Sequence, residues 1–329
     1  GSVTVTASAD VFVSTDVGRS IRWRDPASDW TWLEITAFSS ATSVTATIRG
    51  ENASATTATE NWRLGSFSGT TGYPAVVTFF EQRLVWAATT DRPQSLFFSV
   101  SADYENHAPT DTDGTVLDDS GFTYTIATDQ VNVIRWMRAG KVLSLGTAGG
   151  EFIVSQGDNN SPISPTNTRV VRQTTFGSAQ VTPPQVGNSV LFLQRASRKV
   201  REYVYQFETD AYTAPDLAIL AEHITEGGIT DMAYQQEPFS IVWMVRSDGV
   251  MLGMTYERSQ DVIGWHRHII GGTDAKVESV AVIPSEDGTR DDLYAVIQRT
   301  INGASKRFIE YLTPGLAEGE TTSTNATFL

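Results

Sequence analysis

The chain has 329 residues, enough for one large or two ordinary domains and for a sizeable buried core. Apolar residues make up 40% and charged residues 19%, and 24 Lys and Arg face 38 Asp and Glu, a formal charge of −14. That sign argues against sequence-independent binding to phosphate backbones and against docking on anionic membranes, while the absence of cysteine excludes disulfides, thiolate zinc sites and a cysteine nucleophile.

Thr, Ser, Val and Gly are abundant and turn residues recur every few positions, which favours strands over helices. No apolar run approaches the ~18 residues of a membrane span. The densest stretch is Ile241-Val242-Trp243-Met244-Val245, and no signal peptide is visible. Gly1-Ser2 without a Met, and a Thr/Ser-rich end at Leu329, lead us to expect a piece excised from a longer parent made in a reducing cytoplasm.

Residues 3–65 read as short strands with period-2 alternation: 3–7, 21–24, 30–35 and 44–48, punctuated by Gly18, Asp25-Pro26 and Gly50. We expect a small β-barrel or sandwich-like domain over 1–66. Three glycines in residues 65–72 then mark a linker, placed at 67–72. From residue 73 to 329 a looser repeat appears, each unit built around a core strand. These strands begin at Leu84, Val142, Val190, Ile241 and Leu293, with spacings of 58, 48, 51 and 52 residues. Periods of this size, with three or four strands per unit, predict a β-propeller of about five blades; a large sandwich is the competing fold. The fourth unit is the clearest, with strands at 229–234, 239–246, 250–256 and 264–268 and a hairpin turn at Ser247-Asp248-Gly249. Only residues 215–223 read as a helix, a short connector capped by Thr213 with Pro215 and Asp216 in its first turn.

Chemistry-bearing patterns are few. His266 and His268 project to one face of a strand, but no third metal ligand is recognisable near them, and Trp265 and Arg267 take the other face. Asp111, Asp113, Gly114, Asp118 and Asp119 resemble a calcium loop superficially. Counted from Asp111, however, Gly114 is fourth and Phe122 twelfth, so both diagnostic positions fail. No nucleophile elbow or phosphate loop is present, and Gly146, Gly149 and Gly150 read as a hairpin turn. Glu222, Asp231, Glu237 and Asp248 are glycosidase carboxylates by type alone. Arg195, Arg198, Lys199 and Arg201 form the one basic cluster, read as a solvated hairpin tip that could touch DNA or an acidic neighbour. The sequons at Asn52, Asn159 and Asn325 mean little without secretion. No catalytic, cofactor-binding or metal-ligating residue is assigned, and no enzyme activity is expected.

Two stretches carry a resemblance. One spans 216–272, with Asp216, Ala221-Glu222-His223, Ala233, Gln235, Pro238, Ile241, Trp243, Arg246, Asp248-Gly249, Leu252, Thr255-Tyr256 and Gly264-Trp265-His266. The other is Phe12-x-x-x-Asp16-Val17-Gly18-Arg19-x-Ile21. The first resembles the propeller segment of tail-nozzle (tail tubular protein B-like, or tail hub) proteins of short-tailed bacteriophages; the second, a small β domain inserted in them. The resemblance implies a structural virion protein of the tail. It would form a homohexameric ring in the full-length parent, continuing the DNA-exit channel and docking an adaptor and tail fibres. DNA would pass without specific binding, no cofactor is implied, and the propeller of this piece need not be complete. An acidic channel wall that repels phosphate fits that picture. Two other readings compete. One is a carbohydrate- or receptor-binding propeller with Trp23, Trp30 and Trp32 as an aromatic platform; the other is a glycosidase. Trp30 and Trp32 share one face of a strand, which a buried sheet face explains more simply than sugar stacking.

Overall fold

The computed structural model describes residues 1–25, 29–50, 57–128, 131–158 and 161–312. The chain is all-β. Among the described residues the only helical pieces are single 3-10 turns at Ser14–Asp16 and Arg258–Gln260, and the strands form six antiparallel sheets. The chain divides into two compact units, residues 1–145 with 153–171, and residues 146–152 with 172–329.

The N-terminal sheet contains β1 (Ser2–Thr6), β2 (Ser20–Arg24), β3 (Trp30–Ser40), β4 (Ser43–Ile48) and β5 (Trp62–Leu64), in spatial order β1-β4-β3-β2-β5. Alternation sends Ile21, Leu33, Ile35, Val44 and Ala46 to one face, where they form a core with Phe12. The corner before β2 explains the Phe12–Ile21 motif. The buried Asp16 carboxylate accepts the Val13 N–H (2.9 Å) and pairs with Arg19 (2.8 Å), whose Nε donates to the Gly65 carbonyl (2.6 Å). Gly18 at φ +89° makes the turn between them, a conformation an L side chain rarely adopts. The connecting stretch is itself folded: Thr71 Oγ1 donates to the Ser66 carbonyl (2.8 Å) and Phe67 meets Phe97 edge-on at 5.1 Å.

Five sheets follow in sequence, each a meander whose strands pair in chain order. The first has β6 (Val76–Phe80), β7 (Arg83–Ala87), β8 (Ser95–Phe98) and β9 (Phe122–Thr125). The second has β10 (Ile134–Ala139), β11 (Leu143–Thr147), β12 (Gly150–Ser155) and β13 (Arg169–Thr174). The third has β14 (Gln185–Val186), β15 (Ser189–Leu193), β16 (Val200–Gln206) and β17 (Ala211–Thr213). The fourth has β18 (Ile229–Gln235), β19 (Ile241–Arg246), β20 (Met251–Glu257) and β21 (Val262–His268). The fifth has three strands, β22 (Lys276–Pro284), β23 (Asp291–Ile301) and β24 (Ala304–Tyr311). This is the propeller repeat. All five predicted core strands fall in phase as the second strand of their sheet: β7, β11, β15, β19 and β23.

The blade logic is visible in the packing. Leu191, Leu193 and Val200 of the third sheet share a core with Met232, Val242, Met244, Leu252 and Met254 of the fourth. The other face of the fourth sheet places Trp243, Val245 and Met251 against Val277, Val280, Leu293, Ala295 and Ile297 of the fifth. A sheet with two apolar faces cannot be stable alone, and radial neighbours cover both.

Two expectations are corrected. Residues 215–223 are not a helix but a run of tight turns, with Ala221 N–H bonded to the Ala218 carbonyl (2.8 Å) and Ile224 N–H to the Ala221 carbonyl (2.9 Å). Tertiary hydrogen bonds override the helical signals. Arg201 takes the Ala214 carbonyl (2.6 Å), Asp216 caps the Ala218 N–H (2.9 Å) and Arg246 takes the Ile224 carbonyl (2.8 Å). Secondly, the face that Trp30 and Trp32 share is the outer one, since Thr31, Leu33 and Ile35 are the buried residues of β3.

Candidate functional site

Besides Asp16 and Asp25 of the N-terminal region, three charged side chains among the described residues are almost completely buried, Arg83, Glu151 and Glu202, and each is consumed in holding the fold. Arg83, 2% exposed, lies on the inward parity of β7 with Val85 and Ala87. Its guanidinium donates to the carbonyls of Ser99 (2.6 Å), Ser120 (2.8 Å), Asp118 (2.6 Å) and Asp119 (3.1 Å), and it lies over the Phe122 ring at 5.5 Å. It thereby ties down the long excursion between β8 and β9. Glu151 on β12 accepts from the hydroxyls of Ser178 (2.9 Å) and Thr174. Burial pushes its pKa up, opposed by those hydroxyls, the Phe176 N–H and the charge of Arg201. Glu202 on β16 accepts from Ser189 (3.1 Å) and from the Tyr256 hydroxyl (2.8 Å), with Arg258 at 3.3 Å. The Tyr256 hydroxyl is pushed up to about 12, chiefly by burial. Glu202 therefore clasps β15 and β16 of the third sheet to β20 of the fourth.

None of the three stands out in the sequence. The available signal is parity: Arg83 shares the inward register of an otherwise apolar strand with Val85 and Ala87, and Glu202 shares that of β16 with Val200.

The residues flagged from sequence do not converge. His266 and His268 share a face of β21, as their spacing requires, and their ring nitrogens meet at 2.7 Å. In this arrangement the two rings hydrogen-bond each other, and no third His, Asp or Glu stands beside them among the described residues. The pair packs edge-on against Trp243, at 5.8 and 5.0 Å, and opposite Gly253, where a Cβ would come 2.0 Å from the His266 ring. Burial lowers both pKa values, and His266 lowers that of His268 further. Trp265, on the other face, donates to the Leu217 carbonyl (3.0 Å).

In the acidic loop Asp113 accepts from the N–H (2.7 Å) and hydroxyl (2.9 Å) of Thr115, Asp111 from the Thr112 N–H (2.7 Å), and Phe122 stacks on Phe98 at 4.3 Å. Among the described residues no three His, Asp or Glu side chains are grouped so as to hold a metal. The four acidic candidates are dispersed into local roles. Glu222 meets Lys199 (3.3 Å), Asp231 accepts the N–H groups of Met232 (2.9 Å) and Val280 (3.1 Å), and Asp248 pairs with Arg246 (2.7 Å). Glu237 lies in the β18–β19 turn and donates its N–H to Asp291 (3.0 Å). In the basic cluster Lys199 is paired with Asp216 (2.9 Å) and Arg201 stacks on Phe176 at 3.5 Å, leaving Arg195 and Arg198 exposed. The sequons at Asn52, Asn159 and Asn325 and the punctuating Pro26 lie outside the described residues.

The three tryptophans do not form one platform. Trp23 faces the N-terminal core, Trp30 is covered by the Arg22 guanidinium at 4.4 Å, and Trp32 stands exposed. One shallow groove of 420 Å³ lies at the β6–β7 hairpin, lined by Phe79, Glu81, Gln82, Tyr104 and Gly140. Phe79 and Tyr104 meet edge-on at 5.1 Å. Glu81 and Gln82 occupy the left-handed region (φ 44° and 58°), which is unusual for side chains of this type. The turn is held by the Glu81 carboxylate, which accepts the Ile163 N–H (3.0 Å) and the Gln156 amide.

No family model matches the sequence, and no curated protein matches it. Solved structures do. The β-propeller domain of Cps50 (Swd1) from Myceliophteria thermophila is 9% identical over 94% of this chain and 89% of that one, with a TM-score of 0.43. A putative 6-phosphogluconolactonase from Bacteroides uniformis is 13% identical over 94% and 87%, with a TM-score of 0.42. Regucalcin, a calcium-binding protein from Agrobacterium tumefaciens, is 14% identical over 84% and 80%, with a TM-score of 0.38. Likenesses this distant carry no argument about activity, ligand or partner.

Proposed function

We propose that this protein is a structural component of a virion. It would be part of the tail nozzle or hub of a short-tailed bacteriophage, in a homohexameric ring that continues the DNA-exit channel and docks adaptor and fibre proteins. One observation carries the reading. The buried charged side chains Asp16, Arg83, Glu151 and Glu202 are spent on internal clasps, whereas the surface presents uncovered apolar groups of the kind that assembly buries. On the fifth sheet Ile309 is 79% exposed, Ile283 51% and Tyr311 48%. Such patches mark protein–protein contacts more often than substrate sites. The formal charge of −14 adds the second requirement of a conduit, that its cargo not stick to the wall. No enzyme activity is part of the reading. The test is mass measurement and negative-stain imaging of the full-length parent, where a six-fold ring is expected. A strict monomer that binds glycans would overturn it.

The groove at Phe79 and Tyr104 favours one second reading, a carbohydrate- or receptor-binding propeller. An exposed aromatic pair beside the Gln82 amide offers a stacking surface and hydrogen-bonding groups. Glycan binding lost on Phe79→Ala would favour it over the nozzle.

A further inference from the structure

Among the described residues the fifth propeller sheet has three strands where each of the preceding four has four, and its outer strand is β24. Among the described residues nothing pairs with the outer edge of β24, and seven of its eight residues are exposed. A long exposed edge with free N–H and C=O groups is a template for another strand unless something blocks it. Apolar side chains flank that edge on both faces, Phe308 on one and Ile309 and Tyr311 on the other.

The charges on this edge select a partner. Arg307 is already held by Glu278 in a two-pronged pair (2.7 and 3.0 Å). Lys306 has no carboxylate partner among the described residues, and its neighbour across the sheet is Arg299, a like charge. The one acid of the strand is Glu310, which Arg299 holds from the inner side. Two copies of β24 can meet only antiparallel across a two-fold axis, the sense in which β9, β13, β17 and β21 join their own sheets. With Phe308 on that axis, Lys306 of each copy faces Glu310 of the other. The register with Arg307 on the axis would oppose like charges instead.

We propose that β24 is a self-recognition edge, on which a second copy of this chain supplies a fourth strand in the register that pairs Lys306 with Glu310. An edge lysine ordinarily deters pairing, and here it deters every partner that lacks an acid at that place. The inference concerns the contact between two copies and does not depend on the nozzle reading.

The test uses the 329-residue chain, which has no cysteine of its own. Sedimentation velocity over roughly 5–100 μM is expected to show a concentration-dependent dimer, in the range common for a contact below standard interface size. Phe308→Cys is expected to cross-link two copies with a short bis-maleimide. Ser305→Cys is not, because its two thiols would lie about 20 Å apart along the strands. Lys306→Glu, which opposes two acids, is expected to weaken the dimer at least ~10-fold. A chain that stays monomeric to the top of that range overturns the proposal, whatever else covers the edge. So does a dimer indifferent to Lys306→Glu, or one that Ser305→Cys links as readily as Phe308→Cys.

Discussion

Replacing Arg83 with Met tests whether the excursion between β8 and β9 is held by one buried guanidinium. Met has a similar stem and fills much of the space, so the cavity contribution is small. What is lost is four hydrogen bonds, to the carbonyls of Ser99, Asp118, Asp119 and Ser120. The Asp118 and Asp119 contacts are only part-buried, and water can replace them. The Ser99 and Ser120 contacts are buried, and each orphaned acceptor costs about 1–3 kcal/mol. The desolvation already borne by the cation, which lowers its pKa, is recovered on substitution and offsets part of this. The expected loss is therefore about 3 kcal/mol, read as a shift of the urea midpoint at unchanged slope. Arg83→Lys keeps the charge but not the planar fork, so it should recover only about half of that. Limited proteolysis gives a local readout, with residues 100–119 of the Met variant cut first. A loss under about 1 kcal/mol, with that segment still protected, would refute the assignment of Arg83 as its anchor.

Acid sensitivity should follow the histidines. Burial lowers the pKa values of His107, His266 and His268, so the folded state binds protons less readily than the unfolded chain at 6.5. Their contribution is present above that value and lost as pH falls through the lowered ones; melting temperature should drop from pH 7.5 to 5, and less steeply in His266→Gln with His268→Gln. Glu151 runs the other way, since its raised pKa means that stability falls as pH rises past the ordinary carboxylate range. Glu151→Gln should remove that slope in chemical-denaturation titrations while costing no more than about 1 kcal/mol, because the amide still meets Ser178 and Thr174. Gly253→Ala should destabilise by roughly 1–3 kcal/mol, because the new Cβ expels the His266 ring from its bond to His268; crystallography or histidine NMR shifts would show the displaced ring.

The propeller was legible in the sequence because its signal is cooperative. One apolar strand per unit is buried, on both faces in β11, β15 and β19 and chiefly on one in β7 and β23, and those strands recur at nearly even spacing. The fourth unit was clear down to its turn, since Gly249 at φ +90° accepts almost no other residue. The helix at 215–223 was misread because Leu217, Ala218, Ala221 and Ile224 are buried at helical spacing. Yet the carbonyls of Ala214, Leu217 and Ile224 are claimed by Arg201, Trp265 and Arg246, which lie 13, 48 and 22 residues away from their acceptors. The outward face of Trp30 and Trp32 was misread for a related reason. Bulk suggested burial, whereas the neighbouring Thr31 and Leu33 fill the core side. The buried clasps of Glu151 and Glu202 were not seen because a single charge in a strand reads as solvated until its partners, from other strands and turns, are known.

That last point bears on why so acidic a chain holds together and what its acidity is for. A charge of −14 opposes compaction, yet three deeply buried acids have donors close by: Asp16 has Arg19, Glu151 has two hydroxyls, and Glu202 has Tyr256 and Arg258. Many of the remaining acids are free to face water, where repulsion among them is screened within about 8–10 Å. Such a surface repels phosphate only at close approach, which is where a channel wall acts on DNA. In the proposed ring the lumen should therefore be lined by acids left unpaired in the single chain, while Arg195 and Arg198 turn toward neighbouring proteins. A lumen dominated by Lys and Arg in the assembled parent would separate the acidity from the conduit and leave it a matter of solubility alone.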